Sequence, residues 1–174
     1  MTGRAYAFIR WSGAPVGPVN FGHVGWGFEI PAKTGASTFY CGSTENIAGS
    51  AQIYAPGDNG WWARLHTSEA AMFNEMRHSH LGSNNAYDEV VIIPMATSHS
   101  ANAKATADQT RLEGYTLIGN NCMDHTGKVL EAYGVGWQPN GPMPWKQTHS
   151  APAAWFQELA KYLVGSNQGH YQKL

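Results

Sequence analysis

Cys122 stands where a cysteine could act as a nucleophile. Residues 118–133 (IGNNCMDHTGKVLEAY) predict a helix capped by Asn121, with Cys122 in its first turn and Asp124 as the acid of a capping box. Free backbone amides and the positive end of the helix dipole favour a thiolate there and lower the pKa of the thiol. A buried cysteine without function is the alternative, because cysteine is among the most buried residue types and the Asp124 carboxylate disfavours a thiolate.

A nucleophilic cysteine needs an imidazole that takes its proton and returns it to the leaving group. His23 is the best candidate, since glycines flank it in an aromatic stretch (FGHVGWGF) and a glycine within a strand often marks a close approach. A hydrogen-bonded histidine on a half-exposed strand is the alternative for it. His125 follows Cys122 by three residues and is expected on the helix surface or behind the site. His78 and His80 lie at a predicted helix end and are expected to cap it.

The strand that carries His23 is predicted to form a hairpin with the strand after it. Residues 22–30 and 37–42 are rich in aromatic and β-branched residues, and turn-forming residues separate them. A turn centred near Thr34 places His23 opposite Glu45, with Ser43 and Cys41 on the same face. A register shifted by one residue would instead place Thr44 and Asn46 on that face.

The other elements follow from hydrophobic patterning and cap residues. They are a loop at 54–62, a helix that begins at Thr67 or Ser68 and ends before Gly82, a strand at 87–94, a helix at 100–113, a short strand at 115–118 and a helix at 152–164. Strands and helices mix without regular alternation, so the predicted fold class is α+β. The length predicts one domain over residues 1–174, with a flexible C-terminal tail from about residue 165.

Composition limits the classes of function. Lys and Arg total 11 against 12 Asp and Glu, which leaves no basic field for nucleic acid or anionic lipid. No signal peptide and no run of about 18 apolar residues is visible, so no membrane span is expected. Cytoplasm is therefore the default location, with export by a non-classical route as the alternative. Cys41 and Cys122 are expected to be free thiols.

Two separate motifs together resemble one enzyme superfamily. A strand that begins GHVGW, its hairpin partner, and N-C at the start of a later helix are similar to the circularly permuted branch of the papain-like thiol hydrolases. That branch includes lecithin retinol acyltransferase-like proteins and bacterial amidases and peptidases. Its histidine precedes its cysteine, as His23 precedes Cys122 here. The stretch GNNCMD resembles the branch's N-C-x-x-F motif, although His125 stands where an aromatic residue is usual. The resemblance to the superfamily covers the hairpin and the nucleophile helix, about a third of the chain. Together with GSTEN and NGWW, these segments also resemble a bacterial subfamily.

The resemblance implies a papain-like domain whose antiparallel sheet packs against the helix that bears the nucleophile. It implies that Cys122 is the nucleophile and His23 the general base and acid. In this branch a polar residue on the paired strand orients the histidine, and the predicted register offers Glu45 first and Ser43 second. An acid in solvent on a loop is the alternative for Glu45.

An oxyanion site is implied at the start of the same helix. The backbone amide of Cys122 is one expected donor, and the side chain of Asn120 or Asn121 is a second. One of these asparagines is needed as the helix cap, so both cannot serve. Aromatic side chains at Trp61, Trp62 and Trp26 are candidates for the walls of a substrate cleft, with core positions as the alternative.

The leading hypothesis is a cysteine hydrolase or acyltransferase that acts on a peptide, amide or ester through an acyl-thioester. It needs no cofactor and no metal. One alternative is a catalytically inactive binding domain of the same fold. The other is a metal-binding module that uses a set of histidines or Cys122 with His125, but a single C-x-x-H and a single H-x-H lack the usual zinc spacing. The histidines considered are His23, His66, His78 and His80.

Overall fold

The computed structural model describes residues 1–13, 15–16, 19–45, 59–78, 86–116, 119–136 and 151–174. Strands and helices within these ranges follow one another as β1 (Gly3–Arg10), β2 (Pro15–Val16), β3 (Val19–Asn20), β4 (His23–Ile30), β5 (Thr38–Thr44), β6 (Trp61–His66), α1 (Glu69–His78), β7 (Glu89–Met95), α2 (Ser100–Thr110), α3 (Cys122–Tyr133), α4 (Pro152–Gly165) and β8 (His170–Lys173). The fold class is α+β, as the mixed pattern of elements predicts.

Six of the strands form an antiparallel sheet in the order β6-β5-β4-β1-β7-β8. Side chains of alternate residues along β1 enter two different cores. Ala5, Ala7 and Ile9 belong to the core that includes residues of α2, α3 and α4, whereas Tyr6 and Phe8 belong to the core that includes residues of α1. The sheet is therefore covered by helices on both faces.

The hairpin of β4 and β5 has the register predicted from its turn. Trp26 pairs with Gly42 and Ile30 with Thr38. When this register is continued to the start of β4, His23 lies opposite Glu45. The hairpin therefore holds the start of β4 against the end of β5, and this edge is where the polar side chains meet.

The four helices of the described residues lie within a few residues of their predicted positions. The Ser68 hydroxyl accepts a hydrogen bond from the Ala71 amide and caps α1, and Pro152 occupies the first turn of α4. Asn121 caps α3 as predicted. None of these helices is both long enough and apolar enough to cross a membrane.

Three predictions about the chain's elements are wrong. Trp61 and Trp62, predicted in a loop, begin β6 and pair with Thr44 and Ser43, while residues 54–58 lie outside the described residues. In the described part of the predicted strand at 115–118, Thr116 forms only an isolated bridge with Asn120, and residues 117–118 lie outside the described residues. The C-terminal tail, predicted to be flexible, contains the edge strand β8, which pairs with β7.

Strand β1 lies at the centre of the sheet, although the sequence analysis assigns no strand to residues 3–10. It pairs with β4 on one side and β7 on the other. Because both its faces are buried, its sequence lacks the alternation of apolar and polar residues that identifies a half-exposed strand. Arg4 and Arg10 at its two ends further conceal the pattern.

Candidate active site

Cys122 is the first residue of α3. The side chain of Asn121 accepts hydrogen bonds from the amides of Met123 and Asp124, at 2.9 and 3.2 Å, and the Asp124 carboxylate accepts one from the Asn121 amide at 3.0 Å. This is the predicted capping box. It fixes the first turn of the helix and with it the position of the thiol.

Three groups act on the Cys122 thiol as hydrogen-bonding neighbours: the imidazole of His23, the backbone of Val24 and the side chain of Tyr115. Burial alone would raise the pKa of Cys122. The positive charge of His23 and these hydrogen bonds outweigh burial and lower the pKa below the usual thiol value. The surroundings of Cys122 therefore favour a thiolate.

His23, at the start of β4, lies between the thiol and a carboxylate. Its Nε2 is 3.0 Å from Oε2 of Glu45 and 3.0 Å from Oγ of Ser43. Burial alone would lower the pKa of His23, but the negative charges of Glu45 and Cys122 and their hydrogen bonds raise it to about 10. These interactions favour the imidazolium form of His23.

Glu45 is a buried acid held by donors from several elements. Its Oε1 accepts hydrogen bonds from the Trp62 indole and the Tyr87 hydroxyl, each at 3.1 Å, and its Oε2 lies 3.7 Å from Nη2 of Arg10. Burial alone would raise the pKa of Glu45, but His23 and Arg10 lower it to about 2. Cys122, His23 and Glu45 are only 1%, 2% and 4% exposed, so all three charges are removed from bulk water.

Ser43 touches the same imidazole nitrogen as Glu45. Its hydroxyl donates to the carbonyl oxygen of Val24 at 3.1 Å and lies beside Nε2 of His23. The structure therefore brings both predicted orienting residues, Glu45 and Ser43, to one face of the hairpin. Thr44, which the shifted register would place there, binds His125 instead.

Glycines around His23 make room for its neighbours. A β-carbon on Gly25 would lie 2.9 Å from the Tyr87 hydroxyl, and one on Gly13 would lie 2.4 Å from Cβ of His23. The close approach predicted from the two glycines that flank His23 is that of the Tyr87 side chain at Gly25 and of Ala153 at Gly22. The approach at Gly25 allows Tyr87 to donate to Glu45 across the strand.

Neither asparagine before Cys122 is placed as predicted for an oxyanion donor. The Asn121 side chain caps α3, and the Asn120 amide nitrogen donates to the carbonyl oxygen of Gly114 at 2.6 Å. Tyr115 instead brings a hydroxyl to the thiol. No local motif relates Tyr115 to Cys122, so sequence patterns alone do not identify it as a neighbour of the thiol.

His125 is fully buried, which corrects the expectation of a surface position. Its Nδ1 is 2.8 Å from the Thr44 hydroxyl, and its Nε2 is 3.0 Å from Oδ1 of Asn120 and 3.2 Å from Oε2 of Glu113. Burial lowers the pKa of His125 to about 4 although Glu113 opposes this shift. His125 is a neutral group that joins α3, β5 and the preceding loop.

Two of the three tryptophans predicted to line a substrate cleft are buried. Trp26 is fully buried and stacks on Phe28, and Trp62 is buried with its indole donating to Glu45. Neither ring offers a surface to a ligand. Trp61 is partly exposed, donates to the carbonyl oxygen of Ala107 at 2.8 Å and lies beneath the guanidinium of Arg111.

Two further candidate histidines of the described residues lie at the ends of elements, and His66 is the last residue of β6. His78 ends α1, where its Nδ1 lies 2.9 Å from the carbonyl oxygen of Asn74, and His80 lies outside the described residues. Cys41 and Cys122 are both free, and burial raises the pKa of Cys41. Within the described ranges, no group of three or more His, Cys, Asp or Glu side chains is arranged to hold a metal ion.

No protein-family model and no curated protein matches the sequence. Among solved structures, the chain is similar to the type VI secretion system effector TseH, with a TM-score of 0.52. The two chains are 12% identical, and the match covers 98% of each. At this identity the likeness shows a common fold, which extends over nearly the whole chain.

Proposed function

We propose that the protein is a cysteine hydrolase or acyltransferase, folded as a single domain of the circularly permuted papain-like type. One observation carries the proposal. Cys122, His23 and Glu45 form a continuous buried chain of thiol, imidazole and carboxylate, and their mutual charges favour the thiolate and imidazolium forms. Such an ion pair is the form in which a cysteine attacks an acyl carbon.

The reaction would begin when the Cys122 thiolate attacks the carbonyl carbon of an amide or ester. The C=O π electrons move to oxygen and give a tetrahedral oxyanion. As this intermediate collapses, the imidazolium of His23 gives its proton to the leaving amine or alcohol, and an acyl-thioester remains on Cys122. The neutral imidazole then takes a proton from water or an acceptor alcohol or amine, which attacks the thioester and releases Cys122.

Glu45 would orient the imidazole and stabilise its charge. Its carboxylate contacts Nε2 of His23, which leaves Nδ1 for the exchange of a proton with Cys122. Hydrogen bonds from Trp62 and Tyr87 fix the carboxylate, so its position does not depend on the histidine. Ser43 remains the second candidate for this role because it touches the same nitrogen.

The oxyanion would form at the start of α3. The Cys122 amide belongs to the first turn, where backbone amides lack partners within the helix. The Tyr115 side chain helps to lower the pKa of the Cys122 thiol, and the thiol and backbone of Cys122 both affect the pKa of Tyr115, so the hydroxyl neighbours both groups. We therefore propose Tyr115 as the side-chain donor in place of Asn120.

Acylation with an activated ester tests the proposal. We expect p-nitrophenyl acetate to leave an acetyl group on Cys122, located by peptide mapping, and Cys41→Ala to acylate as the parent does. Cys122→Ala should fold, at a cost of about 1–2 kcal/mol, and release no p-nitrophenol above the rate of the buffer. Undiminished release by folded Cys122→Ala would refute the proposal.

A further inference from the structure

Arg10 is a buried cation at the edge of the candidate site. It ends β1 directly opposite His23 in β4, and its Nη2 lies 3.7 Å from Oε2 of Glu45. Its side chain is only 11% exposed, whereas that of Arg4, at the other end of the strand, is 38% exposed. Arginine is rarely buried unless it is paired.

Arg10 completes the balance of charge in this cluster. The thiolate of Cys122 and the carboxylate of Glu45 carry two negative charges, and the imidazolium of His23 carries one positive charge. With the guanidinium the four groups sum to zero. Without it a net negative charge would remain among side chains that exclude water, which is costly.

Within the described residues, the titratable and charged groups of this cluster come from six parts of the chain. They are Arg10 in β1, His23 in β4, Glu45 after β5, Tyr87 before β7, Tyr115 before α3 and Cys122 in α3. Of these, His23 and Arg10 are the cations. Because His23 is itself one partner of the ion pair, Arg10 is the fixed cation of the set.

We infer that Arg10 is a positioning residue which, through Glu45, sets the pH range over which Cys122 and His23 form their ion pair. The inference rests on the proposed function and deepens it. A cation favours the deprotonated form of every neighbour, so it favours the thiolate at low pH and opposes the imidazolium at high pH. Loss of Arg10 should therefore raise both the pH at which the Cys122 thiolate forms and the pH at which the His23 imidazolium loses its proton.

The experiment compares Arg10→Gln, Arg10→Lys and Arg4→Gln with the parent. Iodoacetamide labelling of Cys122 against pH gives the limit of thiolate formation, and NMR titration of the His23 ring gives the limit of imidazolium loss. Direct ion partners shift a pKa by about 1–3 units, and the ion pair of Arg10 is with Glu45, so Arg10→Gln should raise both midpoints by about 0.5–1 unit. Arg10→Lys should restore most of the shift, because it keeps the charge.

Arg4→Gln is the matched control. Arg4 lies at the opposite end of the same strand and pairs with Glu29 and Glu69 at 2.9 and 3.0 Å. Its loss should leave both midpoints unchanged. A purely structural effect of Arg10 would lower the melting temperature without moving the midpoints, and that result would overturn the inference. So would a shift in Arg10→Lys as large as that in Arg10→Gln.

Two further comparisons keep the inference separate from the proposed function and from misfolding. A parent labelling midpoint near the ordinary thiol value of about 8.5 would refute the ion pair itself. A low parent midpoint with an unmoved Arg10→Gln would refute only the role of Arg10. If Arg10→Gln does not fold, Arg10→Gln with Glu45→Gln removes both charges of the pair, and its Cys122 midpoint should lie above that of Glu45→Gln alone.

Discussion

Replacement of Glu45 by glutamine should separate the charge of this side chain from its shape. The Trp62 indole and the Tyr87 hydroxyl both donate to Oε1, and an amide oxygen can accept both bonds. The amide nitrogen of glutamine would then face Nε2 of His23. Because this nitrogen donates, it favours a neutral ring with its proton on Nδ1, the nitrogen that must accept the proton of Cys122.

The size of the effect follows from the contact that is lost. Nε2 of His23 lies 3.0 Å from the carboxylate, and a hydrogen bond to a charged group contributes about 1.5–3 kcal/mol. At about 1.4 kcal/mol per pKa unit, the pKa of His23 should fall from about 10 by about 1–2 units. The same energy in the transition state corresponds to a loss in kcat of about 10- to 150-fold, with KM nearly unchanged.

Ester turnover and NMR titration of the His23 ring measure these two quantities in the same variant. Glu29→Gln is the matched control, because Glu29 is also a partly buried acid in an ion pair, with Arg4 in place of Arg10. It should change neither value. If Glu45→Gln keeps the parent's kcat while Ser43→Ala loses activity, Ser43 orients the histidine and the role given to Glu45 is wrong.

Two further variants test the surroundings of the nucleophile. Tyr115→Phe should raise the labelling midpoint of Cys122 and lower kcat by about 10²–10³-fold, the usual loss for an oxyanion donor; an unchanged kcat would exclude Tyr115 from that role. The pKa of His125 in the folded protein, about 4, lies below its value of about 6.5 in the unfolded chain. The contribution of neutral, buried His125 to stability is therefore complete above pH 6.5 and is lost as the pH falls through 4. His125→Gln should therefore flatten the fall in melting temperature between these pH values, and a curve parallel to the parent's would contradict this account.

The parts of the site that could be predicted depend on local sequence. Asn121 and Asp124 form a capping box within four residues, and this motif alone places Cys122 at a helix start. The turn between β4 and β5 sets a register by counting residues, and that register brings His23 to Glu45. Neither conclusion needs knowledge of the rest of the fold.

The groups that tune these residues come from distant elements. Arg10, Trp62, Tyr87 and Tyr115 lie in or next to four different elements, and no local pattern relates any of them to Cys122 or Glu45. Arg10 is especially difficult to identify from sequence, because β1 is buried on both faces and lacks the alternation of apolar and polar residues that marks a strand. Such contacts depend on strand order, which local patterns in a single sequence do not reveal.

Burial of a carboxylate nevertheless restricts what must surround it. An ionised acid accepts several hydrogen bonds, and leaving it without donors away from water costs far more than one bond contributes. Once Glu45 is placed opposite a buried histidine, the fold must supply further donors that tolerate an apolar environment. Tryptophan and tyrosine meet this need, since each combines a large apolar ring with one polar hydrogen. Trp62 is therefore better explained as a hydrogen-bond donor to Glu45 than as part of a substrate cleft. Both explanations start from the same aromatic pair, Trp61 and Trp62, in β6.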